Sequence, residues 1–441
     1  MRLIRTLLLT ISATVLPAPA MAQDQPVAFI NARIIPVSGP EIERGTVVVH
    51  RGKILAVGAG IGVPNGAQAV NCAGKTIMPG LVDTHSHVGG PSGGDGSSPI
   101  QPDCRVIDSI NARDAGFQKA QAGGVTVANV MSGSGHLLSG QTVYLKFRDG
   151  KTIDELLIRQ PDGSIAGGIK MANGTNSIRP ASGGFPGTRA KSAALVREQF
   201  VKAQEYREKV RRAGDDKSRL PPRDLGLEAL VDVLEGRRVV HHHTHRADDI
   251  LTVLRLSREF GFKVVLHHVS EGWKVAEQIA AAKAPCSVIV IDAPGGKPEA
   301  QHLSLETGRI LDEAGAIVGF HTDDGITDSR VFLRSAALAV RAGMNRDAAL
   351  KAMTINGAIM LDLQDRVGTL EAGKDADLIV LSGDPLSVYT HVEQTWVDGN
   401  KVFDRSDPKD YLFAVGGFGA SHDQHIHTDC FTHDDGHEES K

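Results

Sequence analysis

Short apolar segments separated by turn residues dominate the two ends of this chain. Strand-like segments lie at 28–30, 46–49, 54–57, 377–381 and 394–403. Alternating apolar and polar positions between turn residues are typical of antiparallel strands. We therefore predict an antiparallel β unit in each flank of the chain.

The central part of the chain alternates buried runs with helical periodicity. Apolar runs typical of buried strands lie at 125–130, 168–171, 239–243, 264–268, 288–291 and 317–320. Helical segments lie at 188–216, 247–260, 272–283, 303–314 and 330–342. This alternation indicates parallel strands covered by helices. Residues 79–361 have about the ~250-residue length of a (β/α)8 TIM barrel. A doubly wound open sheet is the alternative, but no glycine-rich phosphate loop follows the first strand.

Both termini differ from the rest of the chain in composition. Residues 1–22 combine early arginines, an apolar run and Ala20-Met21-Ala22, which predicts an export signal cleaved near Ala22 and a periplasmic location. No later segment has the ~20 apolar residues of a membrane span. Residues 416–441 carry five histidines among acids, so we predict a disordered tail that scavenges metal or is passively solubilising.

Charge and cysteine content narrow the functional classes. The 441 residues carry a formal net charge of −4 with mixed signs, which gives no indication of nucleic acid binding. Four scattered cysteines do not form a disulfide framework, and the sequence does not identify a bonded pair. Cys72 and Cys286 lie in apolar segments and are predicted core residues. The sequence leaves a homo-oligomer open.

Four apolar strands end in residues that bind metals. Asp83, His85 and His87 alternate along the first strand and should project to one face, with Asp83 placed to orient an imidazole. The other strand ends carry His241, His242, His243 and His245, then His267 and His268, then His321, Asp323 and Asp324. Packing alone does not explain four such ends, because buried polar groups need partners. The pattern predicts a metal site at the mouth of the barrel.

These motifs resemble the amidohydrolase superfamily, and more closely its imidazolonepropionase-like and prolidase-like branch. The resemblance rests on IMPGLVDTHSH, HTHRAD, LHHV, HTDD and the late VGTLEAGKDADLIVLSGDP and VEQTWVDGNKVFD segments. It implies that residues 23–78 and 362–415 form a small β-sandwich beside the barrel. It also implies metal ligands at His85, His87, His245, His268 and Asp323. His243 and His267 are the neighbouring alternatives for two of these positions.

The resemblance also implies a reaction. Zn²⁺, as one or two ions, would activate water, although other divalent metals are open. Asp323 would move the proton as general base and then acid, and His243 would help polarise the scissile carbonyl. Lys170, if carboxylated, would bridge two ions. Arg179 and Arg189 are candidates for holding a substrate carboxylate, although an ordinary solvated arginine is the simpler interpretation of each one alone.

The expected function is that of an exported metal-dependent hydrolase of carbon–nitrogen bonds. A dipeptide or an N-acyl amino acid is the preferred substrate class. The sequence leaves two alternatives open. One is a cyclic amidine deaminase, and the other is a non-catalytic exported metal-binding protein whose function resides in the histidine tail.

Overall fold

The structure of this chain is a computed structural model that describes residues 25–91, 93–179, 185–291 and 298–416. The predicted export signal at residues 1–22 lies outside the described residues. So does the predicted tail, apart from Gly416.

The strands form an eight-stranded flank sheet, a six-stranded sheet and a three-stranded sheet. The flank strands are β1 (Val27–Ile34), β2 (Ile42–His50), β3 (Lys53–Gly58), β4 (Gln68–Asn71), β5 (Thr76–Pro79), β15 (Leu378–Leu381), β16 (Val392–Val397) and β17 (Asn400–Asp404). The central strands are β6 (Leu81–Ser86), β7 (Val125–Val130), β8 (Leu138–Gln141), β9 (Val143–Lys146), β10 (Ile169–Ala172), β11 (Val240–Thr244), β12 (Val264–His268), β13 (Cys286–Val288) and β14 (Val318–Phe320).

The two flanks share one sheet. β15 pairs antiparallel with β5, so that Ile379 lies opposite Met78. A common core joins both flanks, in which the rings of Phe29 and Trp396 meet edge to face at 5.0 Å. The prediction of purely antiparallel flanks was wrong in one respect, because β1 pairs parallel with both β4 and β5.

Glycine marks the passage from the flank sheet to the central strands. Gly80 separates β5 from β6. A Cβ at Gly80 would lie 2.2 Å from the side chain of Thr126, so only glycine lets β6 pack this closely on β7. β6 then runs buried along its full length into the histidine motif.

The central strands give an α/β fold of TIM-barrel type. Strands β10 to β14 pair parallel in chain order, and β6 pairs parallel with β7. A parallel bridge between Ser86 and Asp324 connects the ends of β6 and β14. The resulting layout collects the carboxyl ends of the parallel strands on one side, where barrel active sites form.

The prediction of parallel strands throughout was wrong between β7 and β10. β8 pairs antiparallel with β10, and β9 pairs antiparallel with β7. No helix lies between β7 and its partner β9, and a parallel pair requires such a crossover. The central strands therefore fall into two mixed sheets, and the described pairing does not form one closed eight-stranded ring.

Helices follow most of the parallel strands, as the alternation predicts. They are α1 (Ala115–Ala122), α2 (Ile153–Leu156), α3 (Arg189–Ala213), α4 (Leu225–Leu234), α5 (Ala247–Phe260), α6 (Ala276–Ala281), α7 (Thr307–Glu313), α8 (Leu333–Arg341), α9 (Arg346–Ala352), α10 (Ile355–Met360) and α11 (Pro408–Val415). Single 3-10 turns lie at Val106–Asp108, Thr175–Ser177, Lys217–Arg219, Gly272–Val275, Pro298–Ala300 and Ser329–Val331. None of these helices is both long and apolar enough to cross a lipid bilayer. Cys72 and Cys286 are buried thiols, as predicted.

Candidate metal and active site

The carboxylate of Asp323 lies against the first histidine pair. His85 is the fifth residue of β6 and His87 follows the strand, whereas Asp323 follows β14. Oδ1 of Asp323 lies 2.9 Å from Nε2 of His87 and 3.3 Å from Nε2 of His85. The three side chains therefore place three metal-binding atoms within 4.8 Å of one another.

Main-chain groups hold this first cluster in place. Nδ1 of His87 is hydrogen-bonded to the carbonyl oxygen of Met131 at 2.7 Å, which leaves Nε2 facing Asp323. The prediction that Asp83 orients an imidazole was wrong. Asp83 instead accepts hydrogen bonds from the backbone N–H groups of His85 and Thr322, so it fastens β6 to the loop that carries Asp323. Burial raises the pKa of Asp83 to about 7, against the lowering effect of the Thr322 hydrogen bonds.

A second cluster comes from the next strands of the sheet. His243 lies on β11, His245 follows it, and His268 ends β12. The ring of His268 lies 4.3 Å from that of His243 and 4.9 Å from that of His245, centre to centre. Nδ1 of His245 is hydrogen-bonded to the hydroxyl of Ser270 at 2.7 Å. The three imidazoles place their nitrogens within 4.8 Å, so the structure does not separate His243 from His245 as a ligand.

His321 connects the two clusters; its place at a strand end was predicted from the sequence, but it was not assigned as a ligand. Its ring stacks on that of His85 at 5.0 Å, and its Nε2 lies 3.3 Å from Nδ1 of His268. Ser287 on β13 is hydrogen-bonded to Nδ1 of His321 at 2.7 Å. The available signal was the spacing of His321 two residues before Asp323, because residues two apart on an extended segment share a face.

Lys170 enters the first cluster from β10. Its side chain is fully buried, with Nζ 3.2 Å from Nε2 of His85 and 3.1 Å from Sδ of Met131. The structure therefore brings Lys170, the residue predicted to bridge two ions, into contact with His85.

The donor set fits a divalent metal ion. Burial lowers the pKa of His85 and of His268 well below the usual value, and lowers that of His321 to about 3. These imidazoles are consequently neutral near pH 7, the form that binds metal. Within the described ranges, Nδ1 of His85 and Nε2 of His268 are buried without a hydrogen-bond partner. Neutral imidazoles together with a carboxylate are the ligands that Zn²⁺ and similar ions prefer.

A layer of hydrogen-bonded side chains lies beside the clusters. The hydroxyl of Tyr144 is 2.9 Å from Nε2 of His241, and Nδ1 of His241 is 3.0 Å from Nε2 of His267. Burial raises the pKa of Tyr144, so the phenol keeps its proton at neutral pH. The hydrogen bonds link Tyr144, His241 and His267 in one chain, and the ring of His267 lies 5.1 Å from that of His85.

The two arginines proposed from sequence have different surroundings. Arg189 forms an ion pair with Asp249 at 2.8 Å and lies 3.5 Å from Glu299. Its charge is therefore engaged by the protein's own carboxylates. Arg179 is half-buried and stacks its guanidinium on the ring of Phe185 at 4.1 Å.

Comparisons with known proteins point to one family. The amidohydrolase family model matches residues 201–403. Amidohydrolase tasK of Hapsidospora irregularis is 29% identical over 397 residues, a match that covers 82% of this chain but only 40% of that protein. Imidazolonepropionase of Deinococcus radiodurans is 29% identical over 363 residues, covering 78% of this chain and 86% of the relative.

A solved structure gives the fuller match. The crystal structure of an amidohydrolase from Thermotoga maritima is 34% identical, with a TM-score of 0.81, and the match covers 86% of this chain and 100% of that one. The clusters of histidine and aspartate at the strand ends agree with that relationship. This chain therefore belongs to the amidohydrolase family, whose members are metal-dependent hydrolases of carbon–nitrogen bonds.

Proposed function

We propose that this protein hydrolyses an amide bond in a dipeptide or an N-acyl amino acid, with Zn²⁺ held at the strand ends. The observation that carries the proposal is the contact of Asp323 with both His85 and His87 beside the His245 and His268 cluster. Bound metal would supply Lewis-acid activation of water and of the scissile carbonyl.

Asp323 would carry the proton. Its buried carboxylate, 1% exposed, lies against two of the histidines that would hold the metal, so it would accept a proton from water and pass it to the leaving nitrogen. His243 lies on the opposite cluster and would donate a hydrogen bond to the carbonyl oxygen as negative charge develops there. His321 would keep the His85 and His268 rings in place through its stacking and its hydrogen bond to Ser287.

Lys170 would join the two clusters in its carboxylated form. A lysine cation is costly to bury, whereas a carbamate on Nζ would be an anionic ligand to both ions. The 3.2 Å approach of Nζ to His85 places the group beside the first cluster. We propose a bridged pair of ions, with a single ion on His85, His87, His245 and Asp323 as the alternative.

The proposed substrate class rests on the relatives and on one arginine. Imidazolonepropionases and a dihydroorotase among the relatives favour cyclic amides as a second candidate. A free carboxylate on the substrate is favoured by Arg179, whereas Arg189 is already paired with Asp249. We infer that Arg189 shapes the mouth of the site and that Arg179 contacts substrate.

We further propose export to the periplasm after cleavage near Ala22. The proposed organisation places the metal site on a barrel formed by residues 79–361, and a β-sandwich formed by residues 23–78 and 362–415. Sharing of one sheet by the two flanks supports that organisation. N-terminal sequencing of protein from the periplasmic fraction would test the cleavage, and a mature chain that still begins at Met1 would contradict it.

The decisive experiment combines metal counting with turnover. The purified chain is incubated with dipeptides, N-acyl amino acids and cyclic amides, and new amines and ammonia are measured separately. We expect amide hydrolysis at stoichiometric zinc. His85→Ala and His87→Ala should lose tightly bound metal, and Asp323→Asn should lower kcat by about 10²–10⁴-fold while keeping more of the metal.

His302→Ala serves as the matched control, because this histidine is half-exposed and lies outside the clusters. It should leave metal content and rate unchanged. Ammonia release without new amines would instead support a cyclic amidine deaminase. Tight metal binding without turnover of any substrate class would support the non-catalytic metal-binding protein. An Asp323→Asn variant at wild-type rate would remove the proton-transfer role.

A further inference from the structure

A cavity separate from the metal-binding residues lies at the amino ends of three parallel strands. Val239 precedes β11, Val264 begins β12 and Pro285 precedes β13, and all three line the cavity. His268 is at the carboxyl end of β12, about 13 Å along the strand from Val264 at the usual rise per residue. The cavity volume of about 890 Å³ lies within the range of small-molecule sites, about 300–1,000 Å³. The cavity therefore has room for a ligand at the end of the strands opposite the proposed reaction.

The floor of the cavity is apolar and buried. Val239, Val265 and Met360 line it and form a small hydrophobic cluster that is separate from the larger cores. Phe262 lines it as well, and none of these four side chains is more than 6% exposed. Apolar atoms that line a cavity lack some of the dispersion contacts of a close-packed core. A ligand with an apolar chain would supply those contacts.

The rim of the cavity carries an excess of positive charge. Its charged residues are four cations and one carboxylate, namely Arg255, Arg258, Lys263, Lys283 and Asp362. Lys263 pairs with Asp362 at 3.2 Å, which leaves three positive charges. None of these three cations forms an ion pair with a carboxylate in the described part of the chain. Because the whole chain has a formal net charge of −4, this excess is local, and it attracts an anion.

The combination of rim and floor defines the chemistry of the ligand. Arg255 and Arg258 are three positions apart on α5, so their side chains share one face of that helix. Lys283 reaches the rim from the connection after α6. Guanidinium and ammonium groups bind carboxylates, and the apolar floor suits a hydrocarbon chain. The flat surface of a bilayer does not reach a buried floor, whereas a single acyl chain does.

We propose that this cavity binds a fatty acid, with the carboxylate at Arg255 and Lys283 and the hydrocarbon chain against Val239, Val265 and Met360. Binding at the amino ends of the strands does not require the proposed amide hydrolysis, so either can fail while the other stands. A ligand that binds only the folded chain also stabilises it, so a bound fatty acid would raise the unfolding temperature.

Binding of matched amphiphiles tests the proposal. The probes are decanoate, decan-1-ol and octanoate, each kept below the concentration at which it forms micelles. Isothermal titration of the zinc-loaded full chain near neutral pH should show decanoate binding about 10-fold more tightly than decan-1-ol, because the rim makes charge-assisted hydrogen bonds. Decanoate should also bind about 4–16-fold more tightly than octanoate, as each buried methylene adds about 2–4-fold.

Matched variants locate the binding. Arg255→Gln combined with Lys283→Gln should reduce the ratio of acid to alcohol affinity to about 1–2, since the charges at the rim are lost. Arg113→Gln, at an exposed arginine that does not line the cavity, should leave the ratio unchanged. Ala281→Trp fills the cavity from α6 and should weaken acid and alcohol alike. His85→Ala should leave decanoate binding unchanged, because a carboxylate bound at the zinc would depend on that ligand.

Each contrary outcome overturns the site in a recognisable way. Equal affinity for decanoate and decan-1-ol, or no binding of decanoate, removes the fatty acid site. Loss of decanoate binding in His85→Ala places the carboxylate at the metal and removes it too. Binding of the chain to phosphatidylglycerol vesicles without binding of decanoate would show that the cations serve a membrane surface. Absence of amide hydrolysis would leave the fatty acid site standing.

Discussion

Two lysines of the central sheets are equally buried but have different surroundings. Lys146 ends β9 and Lys170 lies on β10, and both side chains are 0% exposed. Three aspartates contact Nζ of Lys146, and Nζ of Lys170 contacts a ring nitrogen of His85 among other groups. Burial of a lysine therefore does not by itself indicate chemistry, and what distinguishes Lys170 is its contact with a candidate metal ligand.

Lys146 joins the central sheets to the flank sheet. Nζ donates to Asp375 at 2.7 Å, to Asp377 at 3.2 Å and also to Asp398. All three aspartates belong to the late flank. β9 runs antiparallel to β7, with Lys146 opposite Val127, so the cluster lies at the end of the sheet where β7 begins. The neighbouring carboxylates, acting against burial, raise the pKa of Lys146 and keep it charged.

Lys170 faces the opposite end of the parallel strands. Its β10 neighbour in register is His241, and its Nζ approaches His85. Burial is the main cause that lowers the pKa of His85, and the positive charge of Lys170 is the second. An uncharged or carboxylated Lys170 would relieve this conflict between a cation and a metal-binding imidazole, which is the physical argument for a modified lysine here and an ordinary one at residue 146.

Removal of the charge at residue 146 is the strongest test of this comparison. We expect Lys146→Met to lower the free energy of unfolding by about 3–5 kcal/mol, because two buried aspartates and the partly buried Asp398 lose their shared cation. Urea unfolding at neutral pH measures this loss. Lys53→Met is the control, since Lys53 also pairs with Asp375 but is half-exposed, and it should cost no more than about 1 kcal/mol. Equal effects of the two substitutions would show that burial of Lys146 adds nothing.

The same substitution at residue 170 should change metal content. Lys170→Met keeps a similar volume but removes the amine on which a carbamate could form. In protein prepared with bicarbonate and zinc, we expect two ions in the unsubstituted chain and at most one in the variant. Elemental analysis measures the metal content, and urea unfolding of the same sample checks that the variant is folded. Full double occupancy in Lys170→Met would rule out the bridge.

Local features of the structure could be predicted from the sequence. α5 begins and ends at the predicted residues 247 and 260, and β7 at 125 and 130, because period and turn residues are local signals. The proximity of His85, His87 and Asp323 could be predicted, because the carboxyl ends of parallel strands lie at one edge of the sheet. The strand at 286–288 was predicted two residues late, since the apolar run continues through residue 291.

Features that depend on distant partners could not be predicted. Lys146 lies in an apolar segment, and its partner Asp375 is 229 positions away. The role of Asp83 was missed because its partner, the backbone of Thr322, is brought close only by the pairing of distant strands. His321 was not assigned as a ligand for the same reason, because its contact with His85 depends on the bridge between the ends of β6 and β14.

The pH dependence of stability gives a smaller and more selective test of the Lys146 cluster. Burial favours neutral Asp375, but the charges of Lys146, Lys53 and Arg366 hold its pKa below the usual value. An acid with a lowered folded-state pKa stabilises the protein above its unfolded pKa, near 3.9, and loses that contribution as pH falls through the folded value. Asp375→Asn should therefore be less stable at pH 7, by on the order of 1–3 kcal/mol, and its difference from the unsubstituted chain should shrink below about pH 4.

Asp377 in the same cluster should show the opposite sign. Burial raises its pKa to about 6, so the folded protein binds a proton that the unfolded chain does not bind between about pH 4 and pH 6. Its contribution to stability therefore grows as pH falls through that window. Asp377→Asn should lack this gain, so its stability relative to the unsubstituted chain should be lower at pH 4 than at pH 7. Urea unfolding of both variants from pH 3.5 to pH 7 measures the two slopes, and slopes of the same sign would contradict the opposite pKa shifts of Asp375 and Asp377.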